Sequence, residues 1–484
     1  MAALGFHIVV TLIVVCILSK CSTRFSLVKA YIAALGFHIV VTLIVVCILS
    51  KCSTRFSLVK AYIVRGLYRF VAPSNDELRA LMPGKKETKP RQRRKQREEE
   101  ETEGFNIPKN LPLQLKMAPV EEVELQNFAF YSSVFWLSLY TPLACFVYMI
   151  SEIWKFVYPE SQDTNVSVFW LIIGAAFTLQ ILAQLTAFYW TADDERGLLL
   201  SFGALYFLGS VMVALWADRI LDINLLKAYD HFTAQAQAAI SQENSGSPIE
   251  VINKNPLLLY LSLATLFSLL STMLVFPNFR YATMYSRALI VADPLNKFLL
   301  HLSFLMPSLC LLLFLKPIKF YLVDGPRQLL TEPQLEILRV YVTIGSLLCR
   351  LLLRRAHLQS FLDLSYDKLY QLQRESGHVR NVHLQSMIYR YYSYLCAAVV
   401  QYLTPALLSF FFALLLKTTG ELSWLGTRSE TLVEDSADVP RLSLRLLFDK
   451  SVCKACWSLA LVITTGINFS ISLIGLIYNS YSGL

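Results

Sequence analysis

The chain is 484 residues long, 55% apolar and 16% charged, with a mean hydropathy of +0.48 and a net charge of +9. A soluble domain averages roughly 45–50% apolar and about 25% charged residues, so this composition excludes an ordinary soluble protein. The positive charge carries no nucleic-acid reading, because basic residues beside membrane spans face anionic lipid.

The chain opens on a repeat. Residues Ala2–Ile32 read AALGFHIVVTLIVVCILSKCSTRFSLVKAYI, and Ala33–Ile63 repeat them letter for letter. Structural repeats diverge, because each copy meets different neighbours. Identity therefore points to a recent duplication or a doubled exon, with one copy the working start. Each copy is an apolar run followed by basic residues, a membrane-entry segment. Nothing basic precedes the first run, whereas Lys20, Arg24 and Lys29 follow it. An uncleaved anchor with its N-terminus outside fits that asymmetry, since a signal peptide normally carries a positive leading region. A cleaved signal peptide is the competing reading.

Residues 64–127 then read as a largely disordered cytoplasmic segment. A basic block, Lys85–Arg97, runs into Glu98–Glu101, and blocks of like charge are usually solvated.

Residues 128–484 read as an all-α membrane bundle. A bilayer core takes about 20 apolar residues per helix. Eight such stretches follow one another: Phe128–Ser151, Val168–Trp190, Gly197–Ala217, Pro256–Phe276, Phe298–Leu315, Leu335–Leu353, Tyr392–Leu416 and Cys456–Tyr478. With one N-terminal span, the expected fold is a polytopic helical protein of about nine transmembrane helices, or ten if both copies insert. Between the sixth and seventh runs, residues 354–390 have the spacing of an amphipathic helix. It either lies on the bilayer or docks beneath the bundle.

Basic residues in loops set orientation. Placing residues 64–127 in the cytoplasm collects twenty-three Lys and Arg on that side against thirteen on the other. Thirteen of the twenty-three come from this one segment, so the orientation rests on it. The C-terminus then also lies in the cytoplasm. Of two glycosylation sequons, Asn468 lies within a span and is unreachable, and Asn165 lies in an outer loop so close to the next helix that an unmodified interfacial Asn is the favoured reading and glycosylation the alternative.

Polar groups inside spans are costly and usually face the bundle interior. The set here is Gln180, Gln184, His301, Gln401 and Asn468. Gln180 and Gln184 share a helix face. Interhelical hydrogen bonding is the expected role of all five, and a solute path is the alternative. Arg350 lies near the end of its run and is expected to snorkel to the interface. There is no HExxH, no phosphate-cradling Gly loop and no GxSxG elbow, so no catalytic residue, cofactor or metal set is read. Cys453 and Cys456 form a lone CxxC, half of a zinc site.

Five stretches resemble the transmembrane protein 161 family: Arg69–Leu81 (RFVAPSNDELRAL), Thr164–Trp170 (TNVSVFW), Phe298–Ile318 (FLLHLSFLMPSLCLLLFLKPI), Arg355–Leu364 (RAHLQSFLDL) and Gln401–Leu408 (QYLTPALL). They occur in family order over most of the chain. Family members begin with a single apolar segment, from which the duplication here departs. The resemblance implies a multi-pass protein without an established enzyme activity and a role in excitability, ion homeostasis or stress tolerance. It carries over no functional residues. The resulting expectation is a non-enzymatic regulator or accessory of membrane ion handling, its surroundings the lipid bilayer and a channel or transporter subunit. The alternative is a transporter or channel in its own right. Endoplasmic reticulum and plasma membrane are not distinguished.

Overall fold

The computed structural model describes residues 45–47, 57–81, 104–157, 166–191, 193–243, 256–326, 328–426 and 449–482. The first repeat copy, the charge block Lys85–Glu101 and the sequon Asn165 lie outside these residues.

Near the N-terminus, strand β1 (Tyr68–Val71) leads into helix α1 (Asn75–Leu81), and strands β2 (Asn106–Pro108) and β3 (Lys116–Pro119) follow. The bundle comprises α2 (Tyr131–Val157), α3 (Val166–Trp190), α4 (Asp193–Ile220), the peripheral α5 (Leu225–Glu243), α6 (Leu257–Val291), α7 (Pro294–Leu313) and α8 (Glu332–Leu352). Then come α9 (Arg354–Leu362), α10 (Leu364–Arg374), strand β4 (His378–Arg380) and α11 (Asn381–Ser393). Helices α12 (Leu395–Thr419) and α13 (Lys450–Ser482) complete the chain.

All eight apolar runs are helical. Seven helices among the described residues are long and apolar enough to cross a membrane. The eighth run, α8, falls outside that set because it carries Glu332, Glu336, Arg339 and Arg350. It nevertheless runs from end to end. Its first residue, Glu332, pairs with Lys319 at one end, and Arg354, just past its last, covers the Tyr62 ring at the other. Chain parity requires this crossing. Residues 68–119 and 378–380 pair as strands at one end of the bundle, so an even number of crossings must separate them. Helices α2, α3, α4, α6 and α7 make five, and α8 makes six.

Helix α12 fills the axis. Apolar residues all round mark a helix with no polar face to expose, and every side chain from Leu395 to Thr418 is buried. Helices α2, α3, α6, α8 and α13 surround it. Close approach to α3 uses Gly174, where a Cβ would stand 2.7 Å from the Phe411 ring. Around this axis the outer faces are apolar, with Phe156, Leu208, Leu258, Leu266 and Phe298 each more than half exposed. A contiguous apolar girdle is a lipid-facing surface. Val45, in the second repeat copy, packs on Leu143 and Val147 of α2.

Two expectations need correction. The span expected to end at Phe276 continues through Pro277 to Val291. At 1.5 Å per residue, α6 is roughly 50 Å long, longer than the ~30 Å hydrocarbon core. Its extra turns are held by α9 through Ser360, whose hydroxyl bonds the Met284 carbonyl at 3.0 Å, and by the Arg287–Asp367 pair of α6 and α10. The segment expected to be largely disordered is in good part folded. β1 pairs antiparallel with β3, and β2 with β4. Leu78, Phe105, Ile107, Leu111 and Leu113 form a small core with Leu369, Leu384 and Ile388. The Gln359 amide bonds both backbone groups of Tyr68, and Asn381 caps the Phe105 N–H at 3.0 Å. The amphipathic stretch thus docks beneath the bundle as the scaffold of this subdomain.

Candidate functional site

Helix α8 inverts the pattern of a soluble helix. Tyr341, Leu348 and Leu352 point outward, while Glu336, Arg339, Thr343 and Arg350 are buried. Positions three, four and seven apart share a helix face, so this is one polar stripe turned toward α7 and α12.

At the end away from the strands, the stripe meets carboxylates. Arg339, 3% exposed, donates to Asp222 at 2.8 Å and to the Leu313 carbonyl at 3.1 Å. Its guanidinium also lies 4.3 Å above the Phe314 ring. Asp222 is delivered there by the turn after α4, whose backbone bonds Phe314 and bridges Leu221 to Leu315. Lys319 bonds both Asp222 (3.1 Å) and Glu332 (2.6 Å). Burial pushes the Asp222 carboxyl up, but Arg339 and Lys319 outweigh it and hold the group below the usual carboxylate range. Two more ion pairs share this end, Lys454 with Glu336 and Lys417 with Glu152, whose carboxylate also accepts from Trp424 at 3.0 Å.

Toward the strand end, the stripe meets aromatic rings instead. Arg350, 2% exposed, lies 3.9 Å above the Tyr281 ring of α6 and donates to the Tyr402 carbonyl of α12 at 3.3 Å. The Tyr402 hydroxyl donates back to the Arg350 carbonyl at 2.6 Å and stands 3.2 Å from His357 Nδ1. His357, in α9, stacks on the other neighbours of this knot, with ring centroids 5.4 Å from Tyr281 and 4.9 Å from Tyr402. Burial, aided by the Arg350 charge, lowers the His357 pKa to about 4, so its ring is neutral at physiological pH. Among the described residues no carboxylate pairs with Arg350, and its Nε has no hydrogen-bond partner. The expected snorkelling does not occur: the side chain turns inward because its helix face is the buried one.

Beside this knot is a cavity of about 20 Å³, between α7, α8, α12 and α13. Arg350, Thr343, Ser346, Ser409, Thr465 and Asn468 supply its polar lining. Asn468 anchors an amide network: its Oδ1 accepts from Asn278 at 3.0 Å, and its Nδ2 reaches the Pro405 carbonyl (3.2 Å) and Ser409 (3.3 Å). Asn278 lies just beyond Phe276, where the apolar run in the sequence stops but the helix does not.

The five intramembrane polar positions do not converge. Gln401 is buried and bonds the Tyr189 hydroxyl of α3 at 2.6 Å. Asn468, in α13, is buried and reaches the α12 backbone at Pro405, one turn beyond Gln401. His301 is exposed and meets the Tyr285 hydroxyl at 2.7 Å, joining α7 to α6. Gln180 and Gln184 both face outward from α3, away from α12. The expectation that they line the interior is therefore corrected: Thr178, Leu182 and Leu185 take the inward face. Among the described residues no group of His, Cys, Asp and Glu could hold a metal ion. Cys453 and Cys456 sit in the first turns of α13.

No solved structure matches the chain. A family model described as predicted transmembrane protein 161AB matches residues 33–482, beginning at the first residue of the second repeat copy. With nearly its whole length matched and seven helices among the described residues long and apolar enough to cross a membrane, the chain is a multi-pass membrane protein that belongs to the predicted transmembrane protein 161AB family.

Proposed function

We propose that this protein is a non-enzymatic accessory subunit of membrane ion handling, acting by docking against a channel or transporter subunit within the bilayer. The observation that carries the reading is the outward stripe of α3. Phe169, Ile172, Ala176, Gln180 and Gln184 are exposed along one face. Two amides a turn apart on a lipid-facing surface are costly, and a neighbouring helix with polar groups satisfies them. Among the described residues neither amide has a hydrogen-bond partner. The filled axis supports the same reading, because the place a conduction path needs is occupied by the buried α12.

The test is site-specific photocrosslinking from position 184 in cells, with the adduct identified by mass spectrometry. A channel or transporter subunit is expected, and Gln180→Leu with Gln184→Leu should abolish the adduct while leaving expression unchanged. Purified protein that by itself carries ion flux in liposomes would overturn the reading and favour a transporter or channel.

A further inference from the structure

We propose that the cavity beside Arg350 is a binding site for a single halide ion, chloride in the cell. A guanidinium cannot be deprotonated in a protein, so Arg350 brings a full positive charge into the interior. An isolated charge there is costly unless an opposite charge or hydrogen bonds compensate it. The other two fully buried cations among the described residues each have a carboxylate: Arg339 has Asp222 and Lys417 has Glu152. Arg350 has one carbonyl at the long distance of 3.3 Å, one aromatic face and an unpartnered Nε. Neither His357 nor the tyrosines of the knot supply a carboxylate to compensate it.

The cavity that Arg350 lines selects the ligand by size and chemistry. One water needs about 10–15 Å³ on the same measure, so about 20 Å³ admits a monatomic anion and excludes phosphate, sulfate or any organic acid. On its wall the donors left for a ligand are the Arg350 guanidinium and the Ser346 hydroxyl, since Thr343, Ser409 and Thr465 donate to backbone carbonyls of their own helices and the Asn468 amide donates to Pro405 and Ser409. No carboxylate lines the wall, so the one charge an entering ion meets is the Arg350 guanidinium. The guanidinium is weakly hydrated, which favours a weakly hydrated monovalent anion. The site ties four helices together, α7, α8, α12 and α13, so an ion bound there stabilises the folded bundle by mass action. This inference does not rest on the docking role of α3.

The test uses the purified full-length chain in lipid nanodiscs. Thermal unfolding is followed while sodium gluconate is exchanged for sodium chloride or bromide at constant ionic strength. The midpoint is expected to rise by several degrees and to saturate with either halide, and Arg350→Gln should show no such rise. No halide dependence in the parent overturns the proposal. So does an Arg350→Gln chain that responds like the parent. Should Arg350→Gln fail to fold, chloride-35 line broadening in the parent decides. Broadening relieved by bromide and absent in Ser346→Leu, which fills the cavity but keeps the charge, supports the site. A parent without broadening, or broadening unchanged in Ser346→Leu, means water alone occupies the cavity and overturns it.

Discussion

Arg339 and Arg350 sit about three turns apart on one buried face of α8, and the protein compensates them in different ways. Arg339 receives a carboxylate from a distant turn, backed by a carbonyl and the Phe314 ring. Arg350 receives the Tyr281 face, one carbonyl and a polar cavity. The two regions have different tasks. The Asp222 end closes the bundle with permanent ion pairs, whereas the Arg350 end leaves part of a charge for something else to satisfy. Burial of a cation is therefore no sign of one role. What its neighbours leave unsatisfied distinguishes a structural brace from a site.

The largest effect expected from this contrast is at Asp222. Asp222→Ala strands Arg339 and should cost about 3–5 kcal/mol, the typical penalty for breaking a buried pair. Adding Arg339→Met should recover most of it, since an apolar residue of similar volume leaves no charge behind. Reversible unfolding in mixed detergent micelles measures both. Asp222 also predicts an acid limit. Its folded pKa lies below the unfolded value, so its contribution is present above about pH 4 and is lost as pH falls through the folded pKa. If Asp222→Ala unfolds like the parent, the brace reading of this end fails.

A smaller effect, of opposite logic, belongs to the other end. The His357 pKa falls from 6.5 to about 4 on folding. The neutral ring is favoured in the folded state, so its contribution is present above about pH 6.5. It is lost as pH falls toward 4, and the total is roughly 3 kcal/mol. His357→Gln should remove the slope between those limits. Arg350→Gln should move the lower limit upward, because the positive neighbour that opposes protonation is gone. Unfolding free energy measured across this pH range checks both, and a parent curve flat from pH 7 to 4 would contradict a buried neutral histidine.

Much of this architecture was legible in the chain. Seven of the eight apolar runs were legible because length with little charge is the signal, and α8 stood out by its apolar residues despite Glu336, Arg339 and Arg350. What the runs could not show is rotation. Arg350 at the end of a span is consistent with snorkelling if its face meets lipid, and only packing against α7 and α12 turned it inward. The same ambiguity reversed Gln180 and Gln184. A helix as apolar as α3 has no polar stripe by which to choose its inner face, and contact with α12 chose it. The run expected to end at Phe276 continues through Pro277 as one helix, which bilayer helices tolerate. The strand pairs were invisible for another reason. β2 finds its partner β4 more than 250 residues away, and three-residue strands carry too little pattern to be read locally.

The smallest effect separates packing amides from charges. Asn278 and Asn468 join α6 to α13 through a 3.0 Å amide bond, and Asn468 extends it to Ser409 and the Pro405 carbonyl of α12. Interhelical hydrogen bonds of this kind average about 0.6 kcal/mol in membranes, since the separated helices also find partners. A double-mutant cycle with Asn278→Leu and Asn468→Leu should return a coupling near that value, several-fold below the Asp222–Arg339 coupling. Because Asn468 also lines the cavity, repeating the cycle in chloride and in gluconate adds a second readout. The Asn278–Asn468 term should be the same in both salts if the amide only packs. A coupling that grows in chloride would show that the network and the Arg350 cavity act as one unit. That result would extend the Arg350 side of the contrast across all of α13's midpoint and shrink the purely structural part of the bundle to its Asp222 end.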